Sequence, residues 1–234
     1  MLNVDKNLIR YNLTQIRVVT AIASLLFSMY AVYFDDIVNN DGILYLKAAK
    51  LFVSGNMEAA FATYNWPFYS IIIAFFQKIT SIPLELTAYI LSCIFFVLLT
   101  DALILISSLI FSVPRQLKIS AILSLCFMPI LDYRDYIIRD PGYWAFACLA
   151  LYHFMVFMNS SRVIHATLWQ IFMIFAILFH VEGIFLLITV PFFLLLSKNL
   201  REEMVIRKLI SCFFISIIFL ATIPFMEDIA TKHF

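Results

Sequence analysis

Seven apolar stretches dominate this chain, running roughly over 18–34, 84–112, 117–131, 142–158, 165–180, 183–197 and 208–225. Hydrophobic residues make up 64% of the 234 and charged residues 13%, more apolar surface than a soluble core of this size can use. Runs of this length without charge fit membrane spans. The breaks between them are polar or carry helix breakers: Pro114 with Arg115 and Lys118, Pro141-Gly142, Asn159 to Arg162, His180 to Gly183, and Ser197 to Lys208. The expected fold is therefore all-α, a polytopic bundle of about seven transmembrane helices forming a single domain over 1–234 with no soluble domain. The first run follows Lys6, Arg10 and Arg17 with no small-x-small site behind it, and reads as an uncleaved anchor. Cys93, Cys126, Cys148 and Cys212 all lie inside apolar runs without metal or redox spacing, and read as small hydrophobes. The formal charge of +1 is silent on nucleic acid, but no basic tract of the needed density occurs, so no nucleic-acid partner is expected.

Orientation depends on the segment 66–79. As a helix its 14 residues reach about 21 Å, short of a hydrocarbon core about 30 Å thick. If it does not cross, the N-terminus is inside, and the inner segments hold Lys6, Arg10, Arg17, Arg115, Lys118, Arg162, Lys198, Arg201, Arg207 and Lys208. That is ten of the 16 basic residues. A crossing segment would flip every later loop and reverse the bias, so seven spans are preferred. The first outer segment, 35–83, then holds an amphipathic surface helix over 42–53, where Lys47, Lys50 and Ser54 form a polar stripe and Ser54-Gly55-Asn56 stops it. Residues 66–79 form a second, shallow helix in the outer leaflet.

This arrangement brings the carboxylates Asp41, Asp140 and Glu182 to one face. Asp41 stands at the start of the surface helix with Tyr45 at i+4, where the helix dipole favours an ionised group able to act as a base. From spacing alone the simpler reading, an N-cap, is preferred. Asp35 and Asp36 read as interfacial solvation at the end of the first span. The loop Asp132 to Pro141 packs Asp132, Asp135 and Asp140 with Arg134 and Arg139. Arginine suits a phosphate because its planar fork makes paired hydrogen bonds, although Arg139 and Asp140 could simply pair with each other. Glu182, beside His180, either faces a polar cavity or meets water in a short outer turn. Asp101, deep in an apolar run, reads first as a hydrogen-bonded tie to a neighbouring helix and second as part of a proton or substrate path. His153 and His165 satisfy local hydrogen bonds; no histidine pair has zinc spacing and no glycine-rich phosphate loop occurs.

Taken in order, Asp41 with Tyr45, the element Trp66-Pro67-Phe68-Tyr69, Arg139-Asp140 and His180-Val181-Glu182-Gly183 resemble the N-terminal module of the membrane-integral GT-C glycosyltransferases. That superfamily includes protein O-mannosyltransferases and aminoarabinose transferases. The resemblance implies an inverting transferase whose donor is a sugar on a polyprenyl phosphate, bound at the outer face of a bacterial inner membrane. It implies Asp41 as catalytic base and Asp140 as the second-loop acid. Tyr45, Lys47, Trp66, Arg134, Arg139 and Glu182 would contact substrate, with the cations on the leaving phosphate. No cofactor is required, though Asp41 with Asp140 could hold a divalent ion such as Mg or Mn. An isoprenoid groove should run from the outer cavity into the bilayer near the 66–79 helix. Relatives continue into further spans or a soluble domain, so a second membrane subunit is a natural partner. The rival readings are a non-catalytic scaffold of a glycan assembly complex, and a lipid-linked sugar transporter using Asp101 and Glu182.

Overall fold

The computed structural model describes residues 6–34, 38–196 and 204–217, with side chains from Asn12 onward except at 196. Every regular element among these residues is helical. In chain order they are α1 (Lys6–Phe34), α2 (Asn40–Val53), α3 (Met57–Thr63), α4 (Phe68–Thr80), α5 (Leu84–Ile110) and α6 (Pro114–Cys126). Then come the short α7 (Met128–Leu131), α8 (Asp140–Ser160), α9 (Val163–Phe179), α10 (Gly183–Thr189) and a 3-10 segment, Val190–Leu196. A last helix, α11, covers 204–217.

Three helices are long and apolar enough to cross a membrane: the Asn12–Phe34 part of α1, α5 and α8. At 1.5 Å per residue α5 reaches about 40 Å and α8 about 31 Å, against a core about 30 Å thick. The other expected spans are shorter, for local reasons. The run 117–131 is divided where Phe127 turns extended (φ −68°, ψ 105°) just before the Pro129-containing α7. Such a break is expected near a proline, which cannot donate to the preceding turn. The run 183–197 is α-helical only to Thr189, and Pro191 then falls in the tighter 3-10 segment. α9 has 17 residues, and α11 is described only as far as 217. Asp35, Asp36 and the far end of the last expected span lie outside the described residues.

α1 and α5 run antiparallel. Arg17 of α1 donates from Nε and Nη2 to the two carboxylate oxygens of Asp101 on α5, at 2.6 and 2.7 Å. Asp101 is thus the interhelical tie expected of it. Farther along α1, the buried hydroxyls of Thr20, Ser24 and Ser28 recur every fourth residue, so one small, polar stripe of the helix stays turned into the bundle.

α4 does not cross. At its start the Tyr69 hydroxyl donates to Ala88 O (3.3 Å) near the N-terminal end of α5, and Trp66 Nε1 donates to Leu178 O (2.8 Å) at the end of α9. Its far end is joined to the first residue of α5 through Ser81, Ile82 and Pro83 alone. Both ends of α4 therefore lie at one end of the bundle, beside α2, which packs against it. The α2 stop falls where the sequence placed it, with Gly55 at φ 81°. α3 then starts as Asn56 Oδ1 accepts from Ala59 N.

The tightest packing joins α8 to α9, where Ala147 and Ala150 face Ala166, Met173 and Ala176, all buried. Small residues at such a seam let helix backbones approach closely, which matters in lipid, where apolar burial alone does not drive helices together. A second cluster gathers Tyr45, Tyr69, Ile73, Phe95, Ile137 and Phe179 beneath the α2–α4 layer.

Candidate active site

Residues 38–41, the loop 132–139 and the start of α8 meet at the end of the bundle that carries α2 and α4. Asn39 is the N-cap of α2 with extended backbone (φ −62°, ψ 156°), but its side chain does not cap the helix. Its Oδ1 instead accepts from Ile137 N at 2.9 Å, tying the loop to the start of α2. Gly42 permits this close approach. A Cβ there would stand 2.7 Å from Asn39 Oδ1 and 2.9 Å from Ile137 Cβ. With the cap at Asn39, Asp41 is exposed in the first turn of α2 and is not consumed as a cap.

Asp41 and Asp140 line the same cavity, of about 430 Å³, together with Asn39, Asn40, Tyr133, Tyr136, Ile138 and Trp144. A cavity of that size holds a small polar ligand such as a sugar ring. One wall is aromatic. Tyr133 stands edge-on to Tyr136 at 5.7 Å between ring centres and to Trp144 at 5.8 Å. Flat rings offer the apolar faces of a sugar a surface to lie on, while Asp41, Asp140 and the two asparagines supply acceptors and donors. Trp144 and the tyrosines escaped the sequence reading. A usable signal existed, since Trp144 follows Asp140 at i+4 and Tyr136 follows Tyr133 at i+3.

Other candidates lie elsewhere. Arg134 is 1% exposed, with Nη1 donating to Ser24 O (2.9 Å), Ser24 Oγ (3.2 Å) and Ser28 Oγ (2.7 Å). Its guanidinium stacks 4.8 Å over the Phe96 ring, and burial pushes its pKa down to about 10, leaving it charged at neutral pH. It anchors the loop to α1 and α5, a correction to its expected contact with a substrate phosphate. Arg139 forms no ion pair with Asp140; it stands 5.6 Å over the Tyr64 ring. Tyr45 is 4% exposed, packed edge-on against Tyr64 and Tyr69, and burial raises its phenol above the usual range. It belongs to the core beneath the site. Lys47 is exposed on α2 and outside the cavity lining. Trp66 is held by Leu178 O, and Phe68 packs edge-on to Phe179 at 5.2 Å, so both serve packing within the bundle. Glu182 is exposed in the α9–α10 turn, 3.8 Å from His180 Nδ1, in agreement with the simple solvated turn.

A larger concavity, of about 670 Å³, lies between the N-terminal half of α1 and α6, with Ile16, Val19 and Ile122 in its walls. It is at the opposite end of α1 from the carboxylates, so it is not the isoprenoid groove expected to lead out of their cavity. The cavity beside Asp41 is the better candidate because polar groups converge there. Among the described residues no group of three or more His, Cys, Asp or Glu gathers as a metal site. Asp41 and Asp140 would offer a divalent ion two carboxylates at most, and the rest of its shell would have to come from substrate and water. No known family model matches the chain, and no curated protein matches it as a relative.

Proposed function

We propose that this chain is an integral-membrane glycosyltransferase that moves a sugar from a polyprenyl-phosphate carrier to an acceptor hydroxyl at the outer face of a bacterial inner membrane. The observation that carries the reading is the convergence of Asp41 and Asp140 on one aromatic-walled cavity. In the same reading the chain crosses seven times with its N-terminus inside. The basic bias and the position of both ends of α4 at one end of the bundle support it.

The chemistry follows from the carboxylates. Asp41 accepts the proton of the acceptor hydroxyl as that oxygen bonds to the anomeric carbon from the face opposite the carrier. The carbon–oxygen bond to phosphate breaks, its electron pair leaves with the phosphate, and the anomeric centre inverts. Asp140 orients the sugar or acceptor hydroxyls across the cavity. Arg139, in the same loop and without an ion pair among the described residues, is the candidate to steady the departing phosphate. The transporter alternative has less support, since Asp101 is engaged by Arg17.

Transfer from a radiolabelled lipid-linked sugar, at matched levels of folded protein, tests the proposal. Asp41→Asn keeps size and removes proton acceptance, so the rate should fall by about 10²–10⁴-fold. Turnover near the unsubstituted level would refute the catalytic reading and favour the scaffold.

A further inference from the structure

At the opposite end of the bundle, α11 presents Met204, Arg207, Lys208 and Ser211 at i, i+3, i+4 and i+7, one face of a helix. That face closes over the α8–α9 turn and leaves a cavity of about 290 Å³, lined by Arg207, Lys208 and Ser211 and, from the turn, by Ser161 and Phe157. Ser161 is the left-handed cap of α8 (φ 55°) and is exposed at the corner. Lys208 is only 5% exposed. Its ammonium donates to Met158 O at 2.8 Å and lies 5.5 Å over the Phe157 ring. An ammonium has three donors, and the described residues give this one a single oxygen acceptor. Neither Lys208 nor Arg207 makes an ion pair among the described residues, and no described acid lines the cavity.

A buried cation to which no described residue supplies a counter-charge is costly, and an anion in the cavity removes that cost. We infer that this cavity is a phosphate-binding site, in which Lys208 and Arg207 make charge-assisted hydrogen bonds to the oxyanion and the Ser161 hydroxyl donates a further one, while Ser211, whose hydroxyl donates to Arg207 O at 2.9 Å, forms part of the wall. It lies apart from the carboxylate cavity and does not depend on the transferase reading. The phosphate can come from a phospholipid headgroup or from solution. Exposed Val163 and Met204, both in the cavity lining, suit a phosphate that carries acyl chains.

The full chain in nanodiscs separates the sources. In the lipid arm, native mass spectrometry follows retention of phosphatidylglycerol against phosphatidylcholine. In the soluble arm, inorganic phosphate is titrated against the protein in phosphatidylcholine discs, with chloride at equal ionic strength as control. Preferential retention of one phosphatidylglycerol, weakened about tenfold by Arg207→Gln, supports the site with a lipid ligand. Saturable stabilisation by phosphate but not chloride, lost in Arg207→Gln, supports it with a soluble one. Arg207 is exposed, so its replacement should leave the unliganded melting temperature unchanged. Lys208→Met should abolish binding, and it also removes the Met158 bond. Equal retention of both lipids together with no phosphate-specific stabilisation would overturn the proposal, as would binding unchanged in Arg207→Gln.

Discussion

The Arg17–Asp101 pair offers a direct measure of what holds α1 to α5. The two contacts, 2.6 and 2.7 Å, form a fork in which both carboxylate oxygens are used. The side chains are 40% and 21% exposed, so the environment lies between water and a dry interior. Two unit charges 4 Å apart at an effective dielectric of 20 attract by about 4 kcal/mol, before the cost of withdrawing them from water. Partial exposure and that desolvation leave a coupling of about 1–2 kcal/mol. A double-mutant cycle with Arg17→Gln, Asp101→Asn and both together should recover that coupling in reversible unfolding from mixed micelles. The two singles should be unequal. Arg17→Gln strands the less exposed partner and should cost about 2–4 kcal/mol, whereas Asp101→Asn strands an arginine able to reach water and should cost about 1–3. A coupling below about 0.3 kcal/mol, or the opposite order of the singles, would refute the tie and return Asp101 to the path role.

Arg134→Met keeps the volume and removes a buried guanidinium whose Nε and Nη2 lack partners among the described residues. Global stability should move by less than about 2 kcal/mol, while hydrogen exchange in 132–139 quickens and sugar transfer falls; unchanged exchange would remove its anchoring role. Gly42→Ala forces a Cβ to within 2.7 Å of Asn39 Oδ1, so Asn39 and Ile137 must shift. A loss of about 1–3 kcal/mol in thermal unfolding is expected, and a neutral result would mean that the α2–loop contact yields easily. Single cysteines at positions 40 and 138, in a background without the four natural cysteines, should label from the same side of the membrane. Labelling from opposite sides would dismantle both the topology and the site.

How much of this was legible beforehand can be judged residue by residue. The apolar runs, the stop at Gly55 and the breaks near Pro114 and Pro141 follow from local chemistry, because a helix in lipid depends on its own residues' hydropathy and on where a proline or glycine interrupts it. Asp101 as a tie was readable for the same reason, since an acid inside an apolar helix needs a partner. Tertiary structure alone decided which polar side chains are consumed in holding the bundle. Arg134 and Arg139 are five residues apart in one loop, yet the first is sealed against Ser24, Ser28 and Phe96 while the second stands over Tyr64. Asp41 read from its spacing first as a cap, yet Asn39 holds the cap position and Asp41 lies in the first turn. Trp144 joined the cavity because α8 begins at Asp140 and turns both residues toward α2. Hydropathy is a property of each segment and can be read along the chain. The use of a polar group depends on which distant backbone stands within 3 Å of it, and only the packed bundle determines that.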